Sequence, residues 1–241
     1  MKLSIIIPAF NEEKNIVSCL RSVHAAIVAI SLPAGDWEII VCNNNSTDAT
    51  ADLASREGAK VVFEPVNQIS RSRNTGAKDA AGDWLLFIDA DSILAPESLV
   101  ELLEKIDTGS YAGGGSLIAF DEGPMGARIA VSIWNFISPL FGWAAGSFVF
   151  CRADAFRDVG GFSADLYAAE EVALSRALRK WGKSRHLEFT ILKRQRHISS
   201  GRKFYLYSTW DFIKILSRFL VTPWRVLKKR EHCYHLYDGR R

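Results

Sequence analysis

Residues Trp84–Ile88 form an unbroken apolar run, Trp-Leu-Leu-Phe-Ile, between Asp83 and Asp89, and this run constrains the fold more than any other segment. A strand with one face in water alternates apolar and polar side chains. A continuous run belongs to a strand covered on both faces, as happens in a parallel sheet between helical layers. The rest of the first ninety residues agrees. Apolar runs at residues 3–7, 37–42 and 60–63 alternate with helical patterns at 12–30, 46–56 and 71–81, the last stopped by Gly82. In the first helix Ile16, Leu20, Val23, Ile27 and Ile30 share one face. Repeated β-α units of this length predict an α/β architecture with a mainly parallel central sheet flanked by helices.

After Pro96 the rhythm loosens. The pattern predicts helices at 96–106, 126–137 and 168–181 (ended by Gly182) and strands at 116–120, 147–151 and around 190–192. Gly113-Gly114-Gly115 precedes the strand at 116–120 instead of joining a strand to a helix. It reads as a tight turn or a close backbone approach, not as a phosphate-cradling loop. Residues 129–151 carry no charge and are long enough to span a bilayer. Asn135, Ser138, Pro139, Gly142, Gly146 and Ser147 interrupt them, however, and Pro139-Leu140-Phe141-Gly142 reads as a turn, so two shorter elements are expected.

Composition narrows the partners. The chain of 241 residues is long enough for a full core, and 48% hydrophobic with 24% charged residues is ordinary for a globular protein. A net charge of +3 is too small to argue for nucleic acid. Its distribution is uneven, because Lys and Arg greatly outnumber Asp and Glu from Arg176 onward. Such a segment suits a membrane surface or phosphate groups, or is simply a solvated basic surface. Within it, residues 204–229 mix aromatic and aliphatic residues with Lys and Arg in a helical pattern broken at Pro223. Trp210, Phe212, Phe219 and Trp224 could anchor it on lipid, or it could cover the edge of the core. The four cysteines show neither C-x-x-C nor zinc spacing, so a reducing cytoplasm fits, and the run at 3–7 is too short for a signal peptide.

Asp89 and Asp91 follow the apolar run, at the edge where open α/β sheets bind ligands. Two hard oxygen donors there suit Mg²⁺ or Mn²⁺, which keep several waters and take oxygens from substrate phosphates. The same pair could merely cap the helix that Pro96 opens. A calcium-binding EF-hand is excluded, since Leu94 and Val100 stand where its Gly and Glu belong.

Five segments then agree in order. Ile5-Ile6-Ile7-Pro8-Ala9-Phe10-Asn11-Glu12-Glu13 resembles the opening of family 2 glycosyltransferases, and Glu38 to Asp48, through Asn43-Asn44-Asn45-Ser46-Thr47, resembles their second strand and D-D-G-S-T-D turn. Arg71-Ser72-Arg73-Asn74-Thr75-Gly76-Ala77 is similar to their A-R-N-x-G helix, and Asp89-Ala90-Asp91 to their metal motif. Gly160-Gly161-Phe162 followed by Glu170-Glu171 looks like their G-G-F and E-D acceptor region. Together these cover about residues 3–200, and ordered motifs carry weight that each alone lacks.

The resemblance implies a GT-A fold and a metal-dependent, inverting transfer of one sugar from a nucleoside diphosphate, a UDP-sugar foremost, to a hydroxyl acceptor that could be lipid-linked. It implies a domain over residues 1–200, with a donor half to about 95 and an acceptor half from 96, and a basic, aromatic helical tail over 201–241. On the donor side it points to Pro8, Ala9, Phe10, Glu12, Asn43, Asn45, Arg71, Arg73, Asn74 and Ala90. Of these, Asn43 would meet the base, Arg73 or Arg71 the diphosphate, and Asn74 would hold the loop. Asp91 would coordinate a divalent Mn²⁺ or Mg²⁺ directly, with Asp89 binding ribose or metal-bound water, and His197 would add a metal ligand unless it is only a surface residue. Glu171, with Glu170 beside it, matches the Asp that serves as base, and Trp143, Gly146 and Ser147 would line the acceptor side. Each pattern has a plainer reading: a turn with a helix cap at 43–48, exposed charges on a helix at 71–73, a solvated pair at a helix start at 170–171.

Asn43 and Glu171 stand where the family usually has Asp, which keeps open a catalytically degenerate nucleotide-sugar binder. A nucleotidyltransferase should carry a Gly-rich, basic loop after the first strand, where this chain has Ala9-Phe10-Asn11-Glu12. Processive polymer synthesis is disfavoured by the lack of a Q-x-x-R-W motif, of which Gln195-Arg196-His197 is only a fragment. The expected place is the cytoplasm, with peripheral contact to the membrane face through the tail, and no nucleic acid.

Overall fold

The computed structural model describes residues 2–201, so the expected helical tail, beyond Gly201, lies outside the described residues. The elements run β1 (Leu3–Ala9), α1 (Ile16–Ala29), β2 (Trp37–Asn43), α2 (Thr50–Arg56), β3 (Lys60–Phe63), α3 (Ile69–Lys78) and β4 (Trp84–Ile88). There follow β5 (Ser92–Ile93), α4 (Pro96–Asp107), β6 (Tyr111–Phe120), α5 (Met125–Phe141), β7 (Phe148–Arg152), α6 (Ala153–Asp158), α7 (Glu170–Lys183) and β8 (Glu188–Ser199).

The strands form one sheet in the order β3-β2-β1-β4-β7-β6-β8-β5. From β3 to β4 the pairing is parallel throughout, as the β-α rhythm predicts. Beyond β4 the sheet is mixed: β7 runs antiparallel to both β4 and β6, and β6 and β8 are parallel. Every residue of β1 and of β4 is buried, which explains the continuous apolar runs. Alternate side chains of each strand feed two different cores. Leu3, Ile5, Ile7, Leu86 and Ile88 pack with α1 and α4 on one side, while Ile6, Leu85 and Phe87 pack with Phe156, Phe162, Leu174 and Leu178 on the other.

Several expected boundaries move, for reasons of packing. The Gly113–Gly115 triplet sits inside β6 rather than before it, and close approach is the cause. A Cβ on Gly114 would drive into the Thr190 carbonyl oxygen and lie 2.5 Å from the Phe150 ring. Gly114→Ala is therefore expected to lower stability by about 1–3 kcal/mol, read as a lower denaturation midpoint, because backbone and ring must both yield. The expected turn at 139–142 is helical as far as Phe141. Pro139 lies inside α5, and Gly142 ends it in the left-handed conformation (φ 60°). Gly182 lies within α7, where a Cβ would strike the Leu187 carbonyl oxygen at 2.7 Å. The short β5 and α6 were not foreseen. Among the described residues no helix is long and apolar enough to cross a membrane, and Cys19, Cys42 and Cys151 are buried free thiols.

Candidate functional site

A cavity of about 420 Å³ opens beyond the carboxyl ends of β1 and β4. Pro8, Ala9, Phe10 and Glu12 line it from the end of β1, and Asp89, Ala90 and Asp91 from the end of β4. Gly146 and Ser147 approach from the start of β7, and Glu170 and Glu171 from the start of α7. The two aspartates do not cap α4, whose N-cap is Ala95 with no side-chain hydrogen bond.

Arg73 is the node of this cavity. Its side chain is 1% exposed. Its Nη1 donates to Glu170 Oε1 (2.7 Å), and its Nη2 donates to Asp89 Oδ1 (2.9 Å) and to the Gly146 carbonyl (2.8 Å). Burial opposes the guanidinium charge, but Asp89 and Glu170 outweigh it and hold the group ionised. The sequence expectation gave Arg73 or Arg71 to a donor diphosphate. The structure commits Arg73 to two carboxylates and turns Arg71 toward Glu64, 3.2 Å away, outside the cavity wall.

The two glutamates are thereby distinguished. Glu170 is buried in the ion pair with Arg73. Glu171 is partly buried in the cavity wall, and burial together with the charge of Glu170 pushes its carboxyl up to about 8, against the pull of Arg73. Ala169, the N-cap of α7, adopts the left-handed conformation (φ 58°) that non-glycine residues rarely take. Gln68 holds the approach to that turn, its side-chain amide donating to the Ala164 and Leu166 carbonyls at 2.7 and 3.1 Å.

His197 is buried, with neither ring nitrogen hydrogen-bonded. Burial lowers its pKa to about 4 despite the nearby charge of Asp89, so the imidazole is neutral at pH 7. It is not a surface residue. β8 carries it past the Asp89–Asp91 segment, since Ser199 pairs with Ser92 and the Ser200 N–H donates to the Asp91 carbonyl at 3.2 Å. A neutral, unpartnered imidazole and two carboxylates fit a divalent cation chemically. Among the described residues no three such side chains gather closely enough to hold a cation alone, so a cation here would draw on ligand oxygens as well.

Other expected residues act around the cavity. The Asn43 side-chain oxygen accepts from the Ser46 N–H (2.9 Å), and Asn45 reaches Asn67 (3.0 Å). Neither lines the cavity, whereas Asn44 and Asn67 do. Asn74 exchanges two hydrogen bonds with the Phe162 backbone (2.8 and 2.9 Å) and so holds the Gly160–Phe162 loop. Trp143 stacks on Phe141 beneath the Arg176 guanidinium and is not in the wall. Sequence reasoning missed Trp134 and Tyr167, which do line it. Trp134 follows Ile133 in an apolar helix, and nothing in that pattern tells a cavity-lining aromatic from a core one.

A model of "Glycosyl transferase family 2" matches residues 4–141. A poly(ribitol-phosphate) beta-glucosyltransferase of Bacillus spizizenii is 35% identical over 109 residues, which are 42% of this chain and 16% of the relative, so the chain spans only a small part of that protein. Among solved structures, TarS residues 1–349 of Staphylococcus aureus in complex with UDP-GlcNAc superpose with a TM-score of 0.66 at 18% identity, covering 98% of this chain and 69% of that one. The mannosyltransferase PcManGT of Pyrobaculum calidifontis, in complex with GDP-Man and Mn²⁺, superposes with a TM-score of 0.68 at 16% identity, covering 89% and 61%.

Proposed function

The chain belongs to glycosyl transferase family 2 and has the GT-A fold, and from that premise we propose that it moves a single sugar from a nucleoside diphosphate, a UDP-sugar foremost, to an acceptor hydroxyl with inversion at the anomeric carbon. The observation that carries this reading is the pairing in one cavity of Asp91, on the donor side, with Glu171, a carboxyl whose affinity for protons is raised. Solved neighbours bound to UDP-GlcNAc and to GDP-Man with Mn²⁺ support a nucleotide-sugar donor and a divalent ion.

The division of labour follows from the geometry. Ionised Glu171 accepts the acceptor's hydroxyl proton as that oxygen bonds to the anomeric carbon and the bond to the diphosphate breaks. Its raised pKa makes it a stronger base than an ordinary carboxylate. Arg73 lines the cavity and acts by positioning. It ties Glu170 to Asp89 and so positions the two sides of the cavity against each other. Pro8, Ala9 and Phe10 offer backbone to the nucleoside, with Asn44 and Asn67 beside them. Mn²⁺ or Mg²⁺ held by Asp91, Asp89 and His197 would offset negative charge on the departing diphosphate.

Thermal shift with UDP, GDP, ADP and dTDP, with and without Mn²⁺, tests the donor site. One nucleotide at ~100 times its dissociation constant should stabilise the fold by about 2.7 kcal/mol in the presence of metal. Asp91→Ala should lose that gain. No shift with any of the four would remove the donor-site assignment.

A further inference from the structure

The outer face of α5 is apolar along its whole length and nothing in the described residues covers it. Met125, Ile129, Ile133, Phe136 and Leu140 recur every three or four residues and are all more than half exposed, Phe136 at 72%. The stripe they make is about 22 Å long, at 1.5 Å of rise per residue. It belongs to a stretch without a carboxylate, since no Asp or Glu occurs between Glu122 and Asp154.

The rim of this face is cationic and aromatic. Arg128 lies on the helix itself beside Ile129. At its far end Arg176 sits over the Trp143 ring (5.0 Å), and Arg179 hydrogen-bonds the Phe141 carbonyl oxygen. Exposed Lys180 extends the positive charge along α7. At the near end the Gly201 N–H donates to Asp121 Oδ1 (2.8 Å), four residues before α5 begins. The chain beyond that point carries ten Lys or Arg against three Asp or Glu over residues 202–241.

We propose that the exposed face of α5 docks on a lipid bilayer bearing anionic headgroups. A broad apolar stripe with an Arg and aromatic border matches the physics of helices that lie in the interfacial plane, where acyl chains take up the apolar side chains and basic residues meet phosphate. A protein partner would need polar groups for register, and this face offers few. Trp134, on the other side of the same helix, lines the cavity, so docking of the outer face leaves the cavity wall unobstructed. The docking itself does not rest on the transfer reading.

Sedimentation of the full chain with vesicles tests the proposal, using phosphatidylcholine alone and phosphatidylcholine mixed with phosphatidylglycerol. The protein is expected to partition onto the mixed vesicles, and salt should weaken the binding. Replacing both Ile129 and Phe136 with Asp should cut partitioning by about tenfold or more. Both residues are exposed and outside the cavity wall, so the unfolding midpoint and the nucleotide-induced thermal shift should not change. Hydrogen exchange provides the independent measurement: amides of residues 125–141 should slow only when mixed vesicles are added. Equal binding by the double variant would overturn the proposal, as would failure of the wild type to bind. A dimer of the wild type in solution that the double variant splits would also overturn it, since a second copy would then cover the face.

Discussion

Glu171→Gln is expected to lower turnover by about 10²- to 10⁴-fold while nucleotide binding is retained, because the amide keeps the shape of the side chain but cannot take a proton. Steady-state kinetics beside the thermal shift would separate the two effects. A protein that merely binds nucleotide sugars would show no turnover to lose. The wild-type rate carries its own signature. As the proposed base Glu171 must be ionised, and its carboxyl is pushed up to about 8 by burial and by Glu170. kcat/KM should therefore climb as pH rises through that value, instead of levelling off above the ordinary carboxylate range. Stability should move the opposite way. A carboxyl whose folded-state pKa is raised favours the fold at low pH, and the advantage fades as pH climbs from the unfolded value toward about 8. Above that range Glu171→Gln should be more stable than the wild type. A flat profile from pH 6 to 9 would argue against Glu171 as the base.

Arg73→Met should cost the most stability of any change at the site, about 3–5 kcal/mol by chemical denaturation, because it leaves a buried carboxylate without its counter-charge. Glu170 has 5% of its side chain exposed and the guanidinium 1%, so solvent does little to screen the pair. Arg73→Lys should recover only part of the loss. A single ammonium cannot reach Glu170, Asp89 and the Gly146 carbonyl as a planar fork does. The pH profile supplies a reading that a purely structural role would not move. Arg73 lowers the Glu171 pKa, so removing it should shift the rising limb to higher pH. If Arg73→Met kept both stability and the pH profile, the positioning role would be lost.

The fold of the first half was legible because its signals are local. Continuous apolar runs bounded by polar residues specify buried strands, and β3 and β4 fall on the residues expected for them. The second half was harder. Its strands pair with partners distant in the chain, and the reasons for its glycines lie in other elements. Gly114 is needed because of Phe150 and Thr190, and Gly182 because of Leu187. Local statistics cannot register such neighbours, which is why Gly113–Gly115 read as either a tight turn or a close backbone approach, and the packing shows the second.

At the site the same division holds. The sequence by itself determined which chemistry is present and on which elements: two carboxylates after a buried strand, a paired glutamate at a helix start, a basic helix between them. The elements follow from periodicity and spacing, which propagate along the chain, and the chemistry expected of them from the resemblance to family 2 glycosyltransferases. Only the tertiary structure decided what each group is free to do. It turned Arg71 away to Glu64 and spent Arg73 on two carboxylates. It separated Glu170, locked in that ion pair, from Glu171 in the cavity wall, and it buried His197 without a hydrogen-bond partner. The physical reason is that charge state, burial and hydrogen bonding depend on neighbours in space. Residues 73, 89, 146 and 170 are far apart along the chain and meet only when the sheet and its flanking helices have closed around them.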